Sequence, residues 1–285
     1  MQRLSWVSIA FFILPLTIQG QAVEKDASKQ RNLVYNPSFE EHFYCPPPMF
    51  KDSFPCKGWW SPNIGTVDYF HQCSQIAEYR VPLNYYGYYQ AHSGNGYVGL
   101  VLISVETLSM EHIQGQLIEP LKAGKQYKVS FWIRLAYSYS DYAACNIGVY
   151  FSREKILKGK FWEAKDSYIE GITPELTAHV SNPKGNFITD TGWVEISGIY
   201  TAKGGEIYIT IGMFWDDHPK VIKAWKKAKE NPGWNTTKRL GKKIEKHLLK
   251  KNSHMEKQYK DAPTKVKQHY PYYFIDDISV VELEE

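Results

Sequence analysis

The sequence predicts an all-β chain folded as a β-sandwich. Three observations point there. Short apolar runs with period-two alternation recur, separated by Gly, Pro and Asn turns. No strand–helix alternation accompanies them before residue 216, which argues against a parallel α/β sheet. The aromatic share is 15%, with 21 Tyr and 9 Trp, types that favour strands. With 43% hydrophobic residues, a sizeable core can form.

Residues 1–22 read as a secretory signal. Arg3 supplies a positive start, and Trp6 to Ile18 is an apolar run too short to span a bilayer. Gly20 and Ala22 offer cleavage sites. The alternative, a buried first helix, lacks an amphipathic period. The expectation is an exported chain with a single domain over 23–285. No later stretch is long and apolar enough for a membrane span.

Asn32 to Glu41, NLVYNPSFEE, opens that domain as a short apolar strand and a turn at Asn36-Pro37. Its expected partner is the far end of the chain, Tyr272 to Leu283. There Phe274, Ile278 and Val280 share a face with Asp276. An acid on an apolar face needs a partner, because an unpaired buried carboxylate is costly. Glu40 repels it. A hard cation with oxygen ligands, calcium, would reconcile them. Solvation at the strand ends is the plainer alternative.

Residues 43–97 read as loops with short strands, broken by Pro46 to Pro48, Pro55, Pro62 and Pro82. Large rings lie on these loops: Trp59, Trp60, Tyr69, Tyr85, Tyr86 and Tyr88. Polar side chains accompany them: Asn63, Asp68, Arg80, Asn84, Gln90 and His92. Rings stack on the C–H faces of sugars, and the polar groups replace water at sugar hydroxyls. Core packing of the rings is the competing reading.

Tyr97 to Ile103, Glu111 to Ile118 and Asn146 to Ser152 read as strands. Tyr127 to Ala136 does so most clearly, with Tyr127, Val129, Phe131, Ile133 and Leu135 on one face. The other face carries Trp132 and Arg134, which either line a concave surface or cover the sheet with their stems. Residues 153–185 read as a long loop with a short strand. Trp193 to Tyr200 and Glu206 to Phe214 read as a hairpin across Lys203-Gly204-Gly205.

A Lys-rich insertion over about 216–268 precedes the last strand. Val221, Trp225 and Ala228, then Leu240, Ile244 and Leu248, fall at helical spacing. Residues 216–265 hold 15 Lys/Arg and 6 Asp/Glu, a net of +9, which leaves −5 for the rest of a chain whose total is +4. Two short amphipathic helices are expected. They read either as a solvated excursion or as a patch for an anionic surface. Export argues against nucleic acid as the partner.

Catalytic motifs are missing. There is no G-x-S-x-G elbow and no H-E-x-x-H, and Asp276 and Asp277 point to opposite strand faces. The expectation is a protein that is not an enzyme. Four cysteines at 45, 56, 73 and 145 allow two disulfides in an exported chain, in three connectivities; a zinc site is the alternative, but no close C-x-x-C pair supports it.

The opening NLVYNPSFE and closing YYFIDDISV resemble the two ends of jelly-roll carbohydrate-binding modules of the galactose-binding-domain-like fold. The stretches GWWSPNIGTVDYFHQC, EHIQGQLIEPLKAGKQYKVSFWIRLA and GWVEISGIYTAKGGEIYITIGMF carry the same likeness. It is similar to the domains at the N-terminus of bacterial outer-membrane-protein-A-like envelope proteins. The resemblance implies a jelly-roll β-sandwich in which the helical insertion is a departure. It implies a structural calcium held by Glu40 and by Asp276 or Asp277, with Ser38 or backbone carbonyls. It also implies a Cys45–Cys73 disulfide, which leaves Cys56 with Cys145. The expected ligand is a glycan or cell-envelope component, met by Trp59, Trp60, Tyr69, Tyr85, Tyr86, Tyr88, Arg80, Gln90, Trp132 and Arg134. A structural or adhesive envelope protein that binds no sugar is the alternative.

Overall fold

Fourteen strands, all in antiparallel pairings, make up the described part of the chain. The computed structural model describes residues 31–46, 54–62, 65–103, 110–140, 142–156, 176–214, 237–239 and 270–284. All of these except Arg31 belong to the unit Asn32–Glu285. The expected signal, Asn63 and most of the insertion lie outside them.

One sheet contains β1 (Trp59–Trp60), β6 (His112–Gln116), β12 (Tyr208–Met213), β9 (Ile147–Ser152) and β10 (Val180–Ser181), in that order. The other contains β11 (Val194–Thr201), β7 (Gln126–Leu135), β14 (Tyr272–Glu282), β5 (Gly96–Val101) and β2 (Asp68–His71). Two small ladders complete the set. One pairs β3 (Leu83–Asn84) with β4 (Gly87–Tyr88). The other pairs β8 (Tyr142–Ala144) with β13 (Thr237–Arg239). β13 is the described fragment of the insertion, and it is a strand where a helical excursion was expected.

Both large sheets feed one hydrophobic cluster, so the architecture is a β-sandwich. From β7, Tyr127, Val129, Phe131, Ile133 and Leu135 are all fully buried, as their alternation requires. Ile113, Ile209, Ile211 and Val149 meet them from the other sheet. Each such side chain contributes about 1.5–3 kcal/mol by leaving water.

The opening and closing segments of the unit Asn32–Glu285 pair with each other, as the sequence suggests. Leu33 N–H donates to Val280 O at 2.8 Å. The Asn32 side chain donates to Ile278 O and accepts from Val280 N–H. The expected hairpin does not form: β11 lies in one sheet and β12 in the other. The turn between them uses Gly204 and Gly205 at φ +90° and +87°, a region that only glycine enters freely. An apolar stripe on each strand suits a hairpin and a crossover equally well, so alternation alone does not separate the two.

The second sheet is covered on both faces. Asp68, Phe70, Tyr97, Gly99, Tyr272 and Phe274 share its outer face by register. The segment 76–93 folds down upon them. Tyr86 stacks on Tyr272 at 3.9 Å, and Tyr89 meets Phe274 at 4.7 Å. The loop rings are thus largely packed together, as the competing reading of core packing has it. Runs such as YYFID and YVGLV, without polar alternates, are the sequence mark of a strand buried on both faces.

Candidate ligand-binding cleft

A cleft of about 600 Å³ opens where segment 76–86 leaves the outer face of the second sheet. Tyr79, Tyr85, Tyr86, Tyr139 and Tyr270 line it, together with Thr66, Ile76, Glu78 and Val101. Two acids stand in its wall, Asp68 from β2 and Glu111 from the residue before β6.

Backbone register places Asp68. It lies opposite Gly99, which lies opposite Phe274 on β14. The Tyr272 ring crosses β5 there, and a Cβ on Gly99 would stand 2.1 Å from its hydroxyl. Glycine at 99 is therefore what lets Tyr272 reach Asp68. The Asp68 Oδ2 accepts from Tyr272 Oη at 2.5 Å and from Tyr86 Oη at 2.7 Å. Burial raises the Asp68 carboxyl to about 6, although both phenols pull it down. Burial, then the charge of Asp68, pushes both phenols well above their usual range, so they remain donors. Gly99→Ala is expected to displace the Tyr272 ring and cost about 1–3 kcal/mol in a urea melt. Unchanged stability would mean the ring moves aside freely.

Glu111 is held by backbone. Its Oε1 accepts from Thr66 N–H at 2.9 Å and Thr66 Oγ1 at 3.1 Å, and its Oε2 accepts from Val101 N–H at 2.7 Å. Burial, then the charge of Asp68, lifts its carboxyl to about 7. Two nearly buried acids thus titrate near neutrality beside a wall of tyrosines. Sequence reasoning singled out Asp68, Tyr85 and Tyr86 but missed Glu111, Tyr139 and Tyr270. The one available signal was an acid starting the apolar stretch of β6.

The other expected ligand residues are dispersed. Trp59 and Tyr69 are each 3% exposed and belong to the core, which corrects their assignment to a binding surface. Trp59 packs on Phe39 at 4.9 Å, and Tyr69 donates to Phe39 O. Trp60 lies on the other sheet, donating to Gln114 Oε1 under the Lys155 ammonium. Trp132 stacks on His92 at 3.9 Å, and Arg134 lies over the Tyr89 ring at 5.0 Å. These two cover the sheet. Gln90 donates to Tyr88 Oη at 3.2 Å, and Arg80 donates to Gln75 O at 3.5 Å.

The expected calcium residues surround one loop, His92 to Gly96. Glu40 accepts from the N–H groups of Asn95 and Gly96. Asp276 accepts from those of His92 and Ser93. Asp277 accepts from Ser38, Ser93 and His92 side chains. Burial, then the charge of Asp277, raises the Asp276 carboxyl to about 8. Burial would also raise Asp277, but its three side-chain donors outweigh that and hold it below the usual range. The donors suit a hard cation in kind. Among the described residues, however, Glu40, Asp276 and Asp277 do not converge as a single three-ligand cluster.

Cys45 and Cys73 form a disulfide, which fits export. The expected Cys56–Cys145 bond does not form, and both residues are buried. Cys56 accepts from the Asn36 side chain at 3.2 Å, while Cys145 accepts from Gly185 N–H at 3.2 Å. An even cysteine count permits two bridges but does not bring two thiols together. No helix among the described residues is long and apolar enough to cross a membrane.

No protein-family model matches the chain, and no curated protein does. Several solved structures are similar in outline. The CBM22-1 xylan-binding domain from Paenibacillus barcinonensis has 12% identity and a TM-score of 0.34, covering 87% of this chain and 93% of its own. The K1 cleaved adhesin domain of Lys-gingipain from Porphyromonas gingivalis has 12% identity and a TM-score of 0.34, covering 83% and 96%. A Stig cyclase from Fischerella has 10% identity and a TM-score of 0.41, covering 88% and 96%. Identities this low leave function to be argued from the site itself.

Proposed function

We propose that this chain is an exported, non-catalytic carbohydrate-binding domain of jelly-roll type, acting at the cell envelope or outside the cell. The observation that carries the reading is the tyrosine-lined cleft with Asp68 and Glu111 in its wall. A concave site with apolar walls and a few fixed polar groups is the usual form of a small-ligand site. The rings offer faces to sugar C–H groups. The acids and Thr66 offer hydrogen bonds to hydroxyls, which would otherwise lose water without replacement.

The test is a glycan-array screen of the mature chain beside Tyr85→Ala, in moderate salt to suppress adsorption through the Lys-rich insertion. Tyr85 packs edge-on to Tyr86 and Tyr139 and is half-buried, so its loss spares the core. Selective binding is expected, weakened at least about tenfold in the variant. A folded chain that binds nothing on a broad array would favour the adhesive reading instead.

One observation favours a second reading. Two acids raised to about 6 and about 7 in one cleft could divide acid and base roles. Product release from a bound oligosaccharide, abolished in Glu111→Gln, would establish hydrolysis in place of binding alone. Calcium at the His92 to Gly96 loop belongs to the same proposal, resting on the oxygen donors of Ser38, Glu40, Asp276 and Asp277.

A further inference from the structure

The disulfide has two histidines beside it. His42 Nε2 lies 3.6 Å from Cys73 Sγ and 3.9 Å from Cys45 Sγ. The rings of His42 and His71 are 4.7 Å apart. One nitrogen from each ring and the Cys73 sulfur all lie within 4.8 Å of one another. Two chain segments each deliver one histidine and one cysteine: His42-x-x-Cys45 after the opening turn, and His71-x-Cys73 at the end of β2.

We propose that His42, Cys45, His71 and Cys73 form a zinc site that becomes available when the Cys45–Cys73 disulfide is reduced. The site is separate from the cleft and does not rest on the carbohydrate reading. Two thiolates and two neutral imidazoles are a standard tetrahedral set for zinc, with ligand atoms about 3.5 Å apart. The His42 nitrogen already stands at that spacing from both sulfurs. Its other nitrogen, Nδ1, lies 3.1 Å from Glu40 O, and donating there leaves the Nε2 lone pair facing the sulfurs. His71 Nδ1 now accepts from Cys73 N–H at 3.1 Å and would exchange that contact for the metal. Glu40 Oε2 stands 3.8 Å from His71 Nε2, beyond hydrogen-bond distance but on the side from which a carboxylate orients a metal-bound imidazole once it closes in.

The chemistry balances with a thiol as reductant. Two equivalents of thiol take the disulfide to two cysteine thiols and leave as their own disulfide. Zinc then displaces one proton from each thiol, and the two thiolates neutralise its charge. The outcome is a loop cross-link that is covalent under oxidation and metal-borne under reduction.

The experiment uses the mature chain with Cys56→Ala and Cys145→Ala, which removes the other two cysteines from the readout. The chain is treated with a trialkylphosphine, incubated with zinc, desalted and assayed for metal. Reduced protein is expected to retain about one equivalent of zinc, and oxidised protein none. Cobalt in place of zinc is expected to give thiolate charge-transfer absorption. His42→Gln keeps the disulfide and the oxidised melting temperature, but is expected to weaken zinc retention after reduction at least about tenfold. The proposal is overturned if the reduced chain retains no zinc, or if His42→Gln and His71→Gln both retain it in full. It is also overturned if cobalt binds without a thiolate band, or if reduction unfolds the chain and zinc does not restore it.

Discussion

Replacing Asp276 with Ala is expected to cost about 3–5 kcal/mol, seen as a fall in melting temperature of about 10 °C. Asp276 is fully buried at the bulge of β14, where the register against β7 shifts. Its Oδ2 accepts from His92 N–H at 2.9 Å and Ser93 N–H at 3.2 Å, and its Oδ1 accepts from Asp277 N–H at 2.8 Å. Alanine leaves three backbone donors without this acceptor, and a buried donor without an acceptor is expensive. Asp276→Asn keeps the shape and one of the two acceptor oxygens, so its cost should be smaller, about 1–2 kcal/mol.

The pH dependence separates these variants. The folded carboxyl is raised from 3.8 to about 8, so the native state holds a proton that the unfolded chain has released. The stability this confers is complete below 3.8 and is lost as pH rises through about 8. Asp276→Asn should remove that loss. A bound cation would favour the ionised acid and reverse the slope. If calcium belongs at this loop, chelation lowers the melting temperature of the parent chain and leaves Asp276→Ala unmoved. A parent chain indifferent to both chelator and added calcium would rule the cation out.

Asp68→Ala is expected to cost about 2–5 kcal/mol and to abolish ligand binding at the cleft. Two phenols, Tyr86 and Tyr272, lose their shared acceptor at once. The Tyr86 ring then keeps its ring contacts, chiefly the stacking on Tyr272 and the edge contact with Tyr139 at 4.5 Å, but loses the hydrogen bond that fixes it in the cleft wall. Asp68→Asn retains an acceptor and separates charge from shape. The carboxyl is raised from 3.8 to about 6, so its stabilising protonation is complete below 3.8 and lost as pH rises through about 6. That loss is on the order of 3 kcal/mol at most. Denaturant melts of the parent should show it, and Asp68→Asn should lack it. Equal slopes in both proteins would place the raised acid elsewhere, with Glu111 the first candidate because its carboxyl lies at about 7.

The sequence by itself determined the all-β class, the inward face of β7, the meeting of the opening and closing segments and the acids gathered at that junction. The class and the inward face follow from alternation, which acts between near neighbours; the pairing of the opening and closing segments, and with it the acids there, was implied by the resemblance. The Cys45–Cys73 bond was implied by resemblance rather than by the residues. The tertiary structure decided what depends on distant partners. The turn at Gly204-Gly205 crosses between layers: β11 pairs with β7 at the edge of one sheet, while β12 lies between β6 and β9 in the other. Cys56 and Cys145 stay apart because one is bonded in the opening loops and the other follows β8. The expected ring cluster is split because Trp59 and Tyr69 point into the core while segment 76–93 closes over the outer face of the second sheet. Asp68 and Glu111 come to one cleft with Glu111 hydrogen-bonded to Val101 at the end of β5. Local pattern fixes which face a residue presents. Only the folded arrangement of strands fixes what that face meets.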